Sequence, residues 1–395
     1  MRTLNDSNDT FEGEFEAWQR RLGFRFNPFG CLEASTDSFL GEYMVAHDAF
    51  AIAWQEVPSL IFAPAGGGKT AMRLYTTRIC WSSLGGTVFP IPYVFSDMPY
   101  SAVISTLDGT HDHRPQILRM AAVALLIGAA YHPERFLDLD RSYWRHLIHF
   151  LRRELPGSLD YYVSVLETEL LPAVLASLLD RTLLLNEQPS PALLRQLCHA
   201  LHDGLSEHPL DLPLQARFDD LIDLLRNGLG FRAIFLLLDG IDALPETSND
   251  SVLASAWLDS LIAQATDWLN ERILLKGFLP KSLMSAVALN VAAVMPSMRV
   301  AELTWTPPLL AEVLRRRVYV ASGGNFGSLD AVSSPALRDI ETMLVRVAHP
   351  LPREVVLLAG RVLYESYRRN NRESERLEAA DVEMALSWYQ KQEPY

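Results

Sequence analysis

The spacing of apolar and polar positions changes character three times along the chain. Residues 1–57 carry an acidic lead, then helical spacing over about 11–22, a turn at Asn27-Pro28-Phe29-Gly30, and a second amphipathic stretch over about 37–55. Two short unbroken apolar runs follow, PSLIFA at 58–63 and TVFPIPYVF at 87–95, with helical spacing from Lys69 to about Ser82 between them. Runs of this kind, bounded by turn residues, predict strands buried on both faces. Pro90 and Pro92 predict that the second strand lies at a sheet edge, where missing N–H groups break no ladder.

From about residue 111 the period switches to three and four. Segments 142–155, 163–185, 191–202 and 214–227 predict helices, and leucine supplies 30 of the 120 residues from 111 to 230. Strand character returns at 232–239 (RAIFLLLD), 271–279 (ERILLKGFL) and 299–305 (RVAELTW). After Pro307-Pro308 the spacing is helical over about 308–321, 334–347, 352–369 and 378–390. This order predicts an α/β fold: a parallel-sheet core, interrupted by an all-helical insertion and followed by a C-terminal helical domain. The expected division is a lead-in at 1–57, core halves at 58–110 and 231–306, the insertion at 111–230, and the lid at 307–395.

Composition narrows the class. Apolar residues at 49% and charged residues at 21% exclude wholesale disorder. A net charge of −13 disfavours a nucleic-acid-wrapping surface, and the arginines of the last helices are interleaved with acids as on a solvated face. Three distant cysteines with no CxxC pair exclude a disulfide framework and a zinc ribbon. His111 with His113, and His199 with His202, lack the further ligands that zinc needs. The polar N-terminus and the absence of an apolar stretch of about 20 residues predict a cytoplasmic protein with no membrane partner.

Lysine is scarce: only Lys69, Lys276, Lys281 and Lys391 stand beside 31 arginines. Lys69 closes Ala63-Pro64-Ala65-Gly66-Gly67-Gly68-Lys69-Thr70, which matches the phosphate loop GxxxxGK[ST] except that alanine replaces the first glycine. The glycines let backbone N–H groups face phosphate oxygens, and the following helix offers its positive end. The expected cradle is Ala65, Gly66, Gly67, Gly68, Lys69, Thr70 and Ala71. Lys69 would reach the β- and γ-phosphates of ATP, and the Thr70 hydroxyl would bind Mg²⁺.

Such a site also needs a carboxylate at the end of a buried strand. FLDLD at 136–140 and LLLNE at 183–187 continue helical spacing, whereas six apolar residues lead without a break into Asp239. Asp239 is therefore the expected Mg²⁺ residue, the other account being an ordinary acidic turn. Gly240 stands where a water-activating glutamate is usual, so Asp242 either orients the attacking water or caps the following loop.

Phosphate loop, apolar strand and DGID together resemble the additional-strand class of P-loop ATPases. Within it they look like the STAND/NACHT signal-transduction group and its AAA+ relatives of the origin-recognition type. The Asn27-Pro28-Phe29 turn is similar to the lead-in of such ATPases, ILLKGFLP at 273–280 to their sensor-1 strand, Pro352-Arg353-Glu354 to the start of their sensor-2 helix, and 378–382 to a final lid helix. The resemblance implies that the sensor-1 strand lies between the phosphate-loop strand and the Asp239 strand. It implies that Lys276, or Lys281 just beyond, contacts the γ-phosphate, that Arg353 reaches the phosphates from the lid, and that Arg299 is an arginine finger acting in trans. It further implies an ATP-binding, slowly hydrolysing switch in conflict or defence signalling, working with a separate effector, with 111–230 as the partner or self-association surface. Two other readings stand beside it: a DNA-associated AAA+ ATPase of the replication, transposition or partition type, and a nucleotide-binding scaffold without turnover.

Overall fold

The computed structural model describes residues 6–82, 87–95, 112–167, 190–203, 211–243, 245–369 and 376–392. Its centre is a parallel sheet of five strands: β1 Ser59–Ala63, β2 Val88–Val94, β3 Ala233–Asp239, β4 Ile273–Pro280 and β5 Arg299–Glu302. The order across the sheet is β2-β3-β4-β1-β5. The α/β class with a parallel sheet is thus what the alternation of strand and helix implied. The unbroken apolar runs became β1, β2 and β3, buried along their whole length. Pro90 and Pro92 lie in β2, which pairs only with β3 and so occupies an edge. β4 lies between β1 and β3, which keeps Leu275 and Phe278 from water on both sides.

The chain divides into two compact units. One contains residues 48–64 and 69–303: the sheet and the helices attached to it. Among the described residues from 112 to 230 there is no strand. These residues form helices Arg114–Tyr131, Pro133–Leu137, Arg141–Glu154, Leu159–Glu167, Pro191–Asp203 and Leu214–Asp223. They share one apolar core with the sheet. Helix Arg114–Tyr131 is buried from Gln116 to Ala130 except at half-buried Arg119. Its Gly128 is needed for close packing, because a Cβ there would come within 2.6 Å of the Trp81 ring. The FLDLD acids have helical roles, since Asp140 caps helix Arg141–Glu154 through the N–H groups of Ser142 and Tyr143. LLLNE and the later half of the helix expected over 163–185 lie outside the described residues.

The second unit contains residues 1–47, 65–68 and 304–395. Helices Asp6–Leu22, Pro307–Ala321, Ile340–Val347, Pro352–Arg369 and Ala379–Tyr389 surround a separate apolar core that includes Trp18, Leu314 and Val362. Arg317 organises its N-terminal part. This buried guanidinium donates to the carbonyls of Pro28 and Cys31, each at 3.2 Å, and to Asp37 at 3.1 Å, and it covers the Tyr43 ring at 4.4 Å. Asp37 also accepts from the Tyr43 hydroxyl. Those demands break the helix expected over 37–55 into Leu40–Tyr43 and Asp48–Trp54, and the division between units falls between His47 and Asp48. The helix expected from 334 starts at Ile340, because the Asp330 carboxylate accepts from the N–H groups of Asp339 at 2.9 Å and Ile340 at 3.2 Å. No helix among the described residues is long and apolar enough to cross a membrane.

Lys276 departs from expectation. It pairs with Ser59 and Leu237, four residues before the end of β1. At about 3.3 Å per residue this is about 13 Å from the start of the phosphate loop. Its ammonium donates to the carbonyls of Gln55 and Val57, the latter at 2.6 Å, and lies 4.5 Å from the centre of the Phe235 ring. Lys276 is a buried structural cation at the opposite end of the sheet and does not reach a γ-phosphate. Burial lowers its pKa to about 7.

The unfolded chain, with Lys276 at its ordinary pKa of 10.5, binds more protons than the folded chain between about pH 7 and 10.5. Stability contributed by this group therefore rises with pH across that window, by at most about 1.4 kcal/mol per pH unit. In urea denaturation, Lys276→Met is expected to flatten this rise relative to wild type. A variant curve parallel to wild type from pH 7 to 10 would refute it.

Candidate functional site

The segment after β1 is shaped by glycine. Gly66 has φ 73° and Gly68 has φ 95°, both left-handed. Other residues enter that region only at a cost. At Gly66 space is short as well, since a Cβ would meet Arg353 Cβ at 3.0 Å. The Gly66 carbonyl accepts from the Arg353 N–H at 3.3 Å, and the Gly67 carbonyl accepts from Trp305 Nε1 at 2.8 Å. Across a trans peptide the C=O and the next N–H point in opposite directions. The N–H groups of Gly67 and Gly68 are thereby turned away from these two partners. Residues 65–68 belong by their contacts to the helical unit, whereas Pro64 and Lys69 belong to the sheet unit. The division between units therefore crosses the segment itself.

Helix Lys69–Ser82 starts where the glycines end. Lys69 is 8% exposed, and its ammonium lies 3.1 Å from an Asp242 carboxylate oxygen. It also donates to the carbonyls of Ala63 and Pro64, each at 3.4 Å. Thr70 and Ala71 are half-buried in the first turn, and Ala65 is exposed. One turn beyond Lys69, buried Arg73 donates through Nε to Asp239 Oδ2 at 3.0 Å. Asp239 Oδ1 accepts from the Gly240 N–H at 2.9 Å. The two ion pairs, Lys69–Asp242 and Arg73–Asp239, repeat at the four-residue spacing of the helix. Gly240 has φ 80°, so the chain turns here through a conformation that a glutamate would strain.

The structure brings Asp239 and Asp242 together with Lys69 at the C-terminal end of the sheet. It does not leave Asp239 poised for a metal. Each of its oxygens is engaged by a protein donor, and a guanidinium already balances its charge. Among the described residues no group of three His, Cys, Asp or Glu side chains could hold a metal ion. Of the two residues expected to share the Mg²⁺ role, Asp239 is paired with Arg73 and Thr70 is half-buried in the first turn of the helix. Asp242 is paired with Lys69.

Arg353 opens helix Pro352–Arg369 against Gly66, with its guanidinium 3.6 Å from Glu33. Arg299 is exposed at the start of β5, paired with Ser59, and so stands at the end of the sheet remote from Ala63. Lys281 follows the Pro280 that pairs with Ala63, and forms an ion pair with Glu302 at 2.5 Å. Of the two lysines near β4, Lys281 stands at the loop's end of the sheet. Sequence reasoning missed Arg73. Its signal was present in the chain: two cations four apart, Lys69 and Arg73, and two acids three apart, Asp239 and Asp242.

Gly66→Ala places a side chain in a left-handed position against Arg353 and is expected to lower stability by about 1–2 kcal/mol in urea denaturation. Gly327→Ala is the control, since a Cβ at Gly327 meets nothing within 4 Å. Equal midpoints for the two variants would show that the loop tolerates the substitution. In comparisons with known proteins the chain matches no family model, no curated protein and no solved structure.

Proposed function

We propose that the chain is an ATP-binding molecular switch of the P-loop type, related to the STAND and AAA+ ATPases, with the nucleotide phosphates held by Ala65 to Ala71. The observation that carries this reading is the glycine segment between β1 and helix Lys69–Ser82, with left-handed Gly66 and Gly68 leading into a lysine. The position of β4 between β1 and β3 supports it. The chemistry follows from the contacts. Phosphate oxygens are stronger partners for Lys69 than two carbonyls at 3.4 Å, and they compete with Asp242 for its ammonium. Nucleotide binding thus releases Asp242. It also tightens a segment whose Gly66 and Gly67 carbonyls are held by Arg353 and Trp305. In this reading the state of that segment changes with nucleotide.

ATP is preferred over GTP in this reading because the chain has no NKxD base-specificity motif. Residues 111–230 supply the surface for a protein partner or self-association, and a separate effector carries the output. Turnover is slow, since Gly240 replaces the usual glutamate. The same observation favours the second reading, a scaffold that binds nucleotide without turnover. The net charge of −13 tells against the DNA-associated reading.

Isothermal titration with ATP and phosphate-release assays test the proposal. Wild type is expected to bind ATP, and Lys69→Ala to weaken binding about 100-fold or more, as loss of a charge-assisted phosphate contact requires. Absence of ATP binding by wild type would sink the proposal. Asp242→Asn removes the competitor for Lys69 and is expected to tighten ATP binding about 3- to 10-fold. Unchanged affinity with lost phosphate release would instead make Asp242 the catalytic base.

A further inference from the structure

We infer that nucleotide binding at this loop needs no divalent cation, because Arg73 takes the place beside Asp239 that a metal shell would occupy. The inference rests on the nucleotide-binding reading above and says how that site is regulated: by nucleotide alone, whatever the magnesium level.

The geometry is specific. Arg73 lies four residues after Lys69 and three after Thr70, on the helix face that turns into the protein. Its guanidinium is 1% exposed and its Nε–H points at Asp239 Oδ2 from 3.0 Å. Asp239 is 2% exposed, and its other oxygen accepts from Gly240. A divalent ion beside Asp239 would have to displace Arg73 or lie within a few ångströms of its charge. Neither comes free, because moving the guanidinium away from Asp239 separates two opposite charges that are both buried. Arginine stays protonated under all working conditions, so lowering the pH does not empty the position. Asp242, just beyond β3, faces Lys69, and Glu302 at the end of β5 faces Lys281. The phosphates would meet Lys69, the helix end and the N–H groups of the glycines directly.

The test compares ATP affinity in excess Mg²⁺ and in EDTA, by isothermal titration on the full chain. Wild type is expected to show dissociation constants within about 3-fold of each other in the two buffers, whereas a metal-dependent site would lose about 30-fold or more in EDTA. Arg73→Gln uncovers the Asp239 charge. It is expected to weaken ATP binding in EDTA at least about 10-fold, with recovery when Mg²⁺ is restored. Should that variant not fold, Arg73→Met with Asp239→Leu replaces the buried pair by apolar groups, a change that proteins often tolerate. Once circular dichroism shows it folded, the double variant is expected to bind ATP in EDTA as wild type does. Wild-type binding seen only with Mg²⁺ overturns this inference and leaves the nucleotide-binding reading intact. A folded double variant that fails to bind in EDTA overturns it too. No binding by wild type in either buffer overturns both.

Discussion

The buried pair between Arg73 and Asp239 is the constraint around which the sheet unit is arranged. Neither charge touches water, with 1% and 2% exposure. A buried pair gains little on balance, but breaking it by removing one member is severe. The pair therefore acts less as a source of stability than as a fixture of position. It holds the first turns of helix Lys69–Ser82 over the end of β3. Lys69 then meets Asp242 one turn earlier on the same face. Lys276 shows the same logic at the other end of the sheet. Its ammonium meets two carbonyls and an aromatic face, and burial depresses its affinity for a proton more than the charge of Glu56 raises it. A lysine can respond to burial by releasing its proton, whereas an arginine cannot. The residue that sits against Asp239 is the one that must keep its charge.

The net charge of −13 does not describe this region. Among the described residues at this end of the sheet, Lys69 pairs with Asp242, Arg73 with Asp239 and Lys281 with Glu302. A net charge counts every residue alike, whereas the field at one end of a sheet follows the pairs nearest to it.

Much of the fold was legible in the chain because burial on both faces leaves an unbroken apolar run. AIFLLL before Asp239 could hardly be anything other than a central strand, and Pro90 with Pro92 marked an edge. Helix boundaries were misread where a distant side chain decides them. Arg317 and Tyr43 engage Asp37 and break the 37–55 helix; Asp330 delays the helix that begins at Ile340. Neither is visible in local spacing. The candidate site was legible in its backbone and less so in its charges. Glycines followed by lysine announce themselves by residue type. The partner of each carboxylate depends on which helix face turns inward, and that is settled by packing. Lys276 was misplaced because a strand's register against its neighbours, not its own composition, fixes how far a side chain lies from the strand's end.

The glycine segment has two kinds of neighbour, and peptide geometry makes them interdependent. The Gly66 and Gly67 carbonyls are occupied by the Arg353 N–H and the Trp305 indole. Because each peptide plane is rigid, rotating one to improve an N–H contact on one side swings its carbonyl on the other. A ligand that draws on the N–H groups of Gly67 and Gly68 must work with those carbonyl contacts or break them. Left-handed φ angles at Gly66 and Gly68 narrow the alternatives further, since few other conformations carry the chain from Ala63 to Lys69 in so few residues. The conformation of the segment is therefore set jointly by its glycines, by the planarity of its peptides and by the two donors that hold its carbonyls.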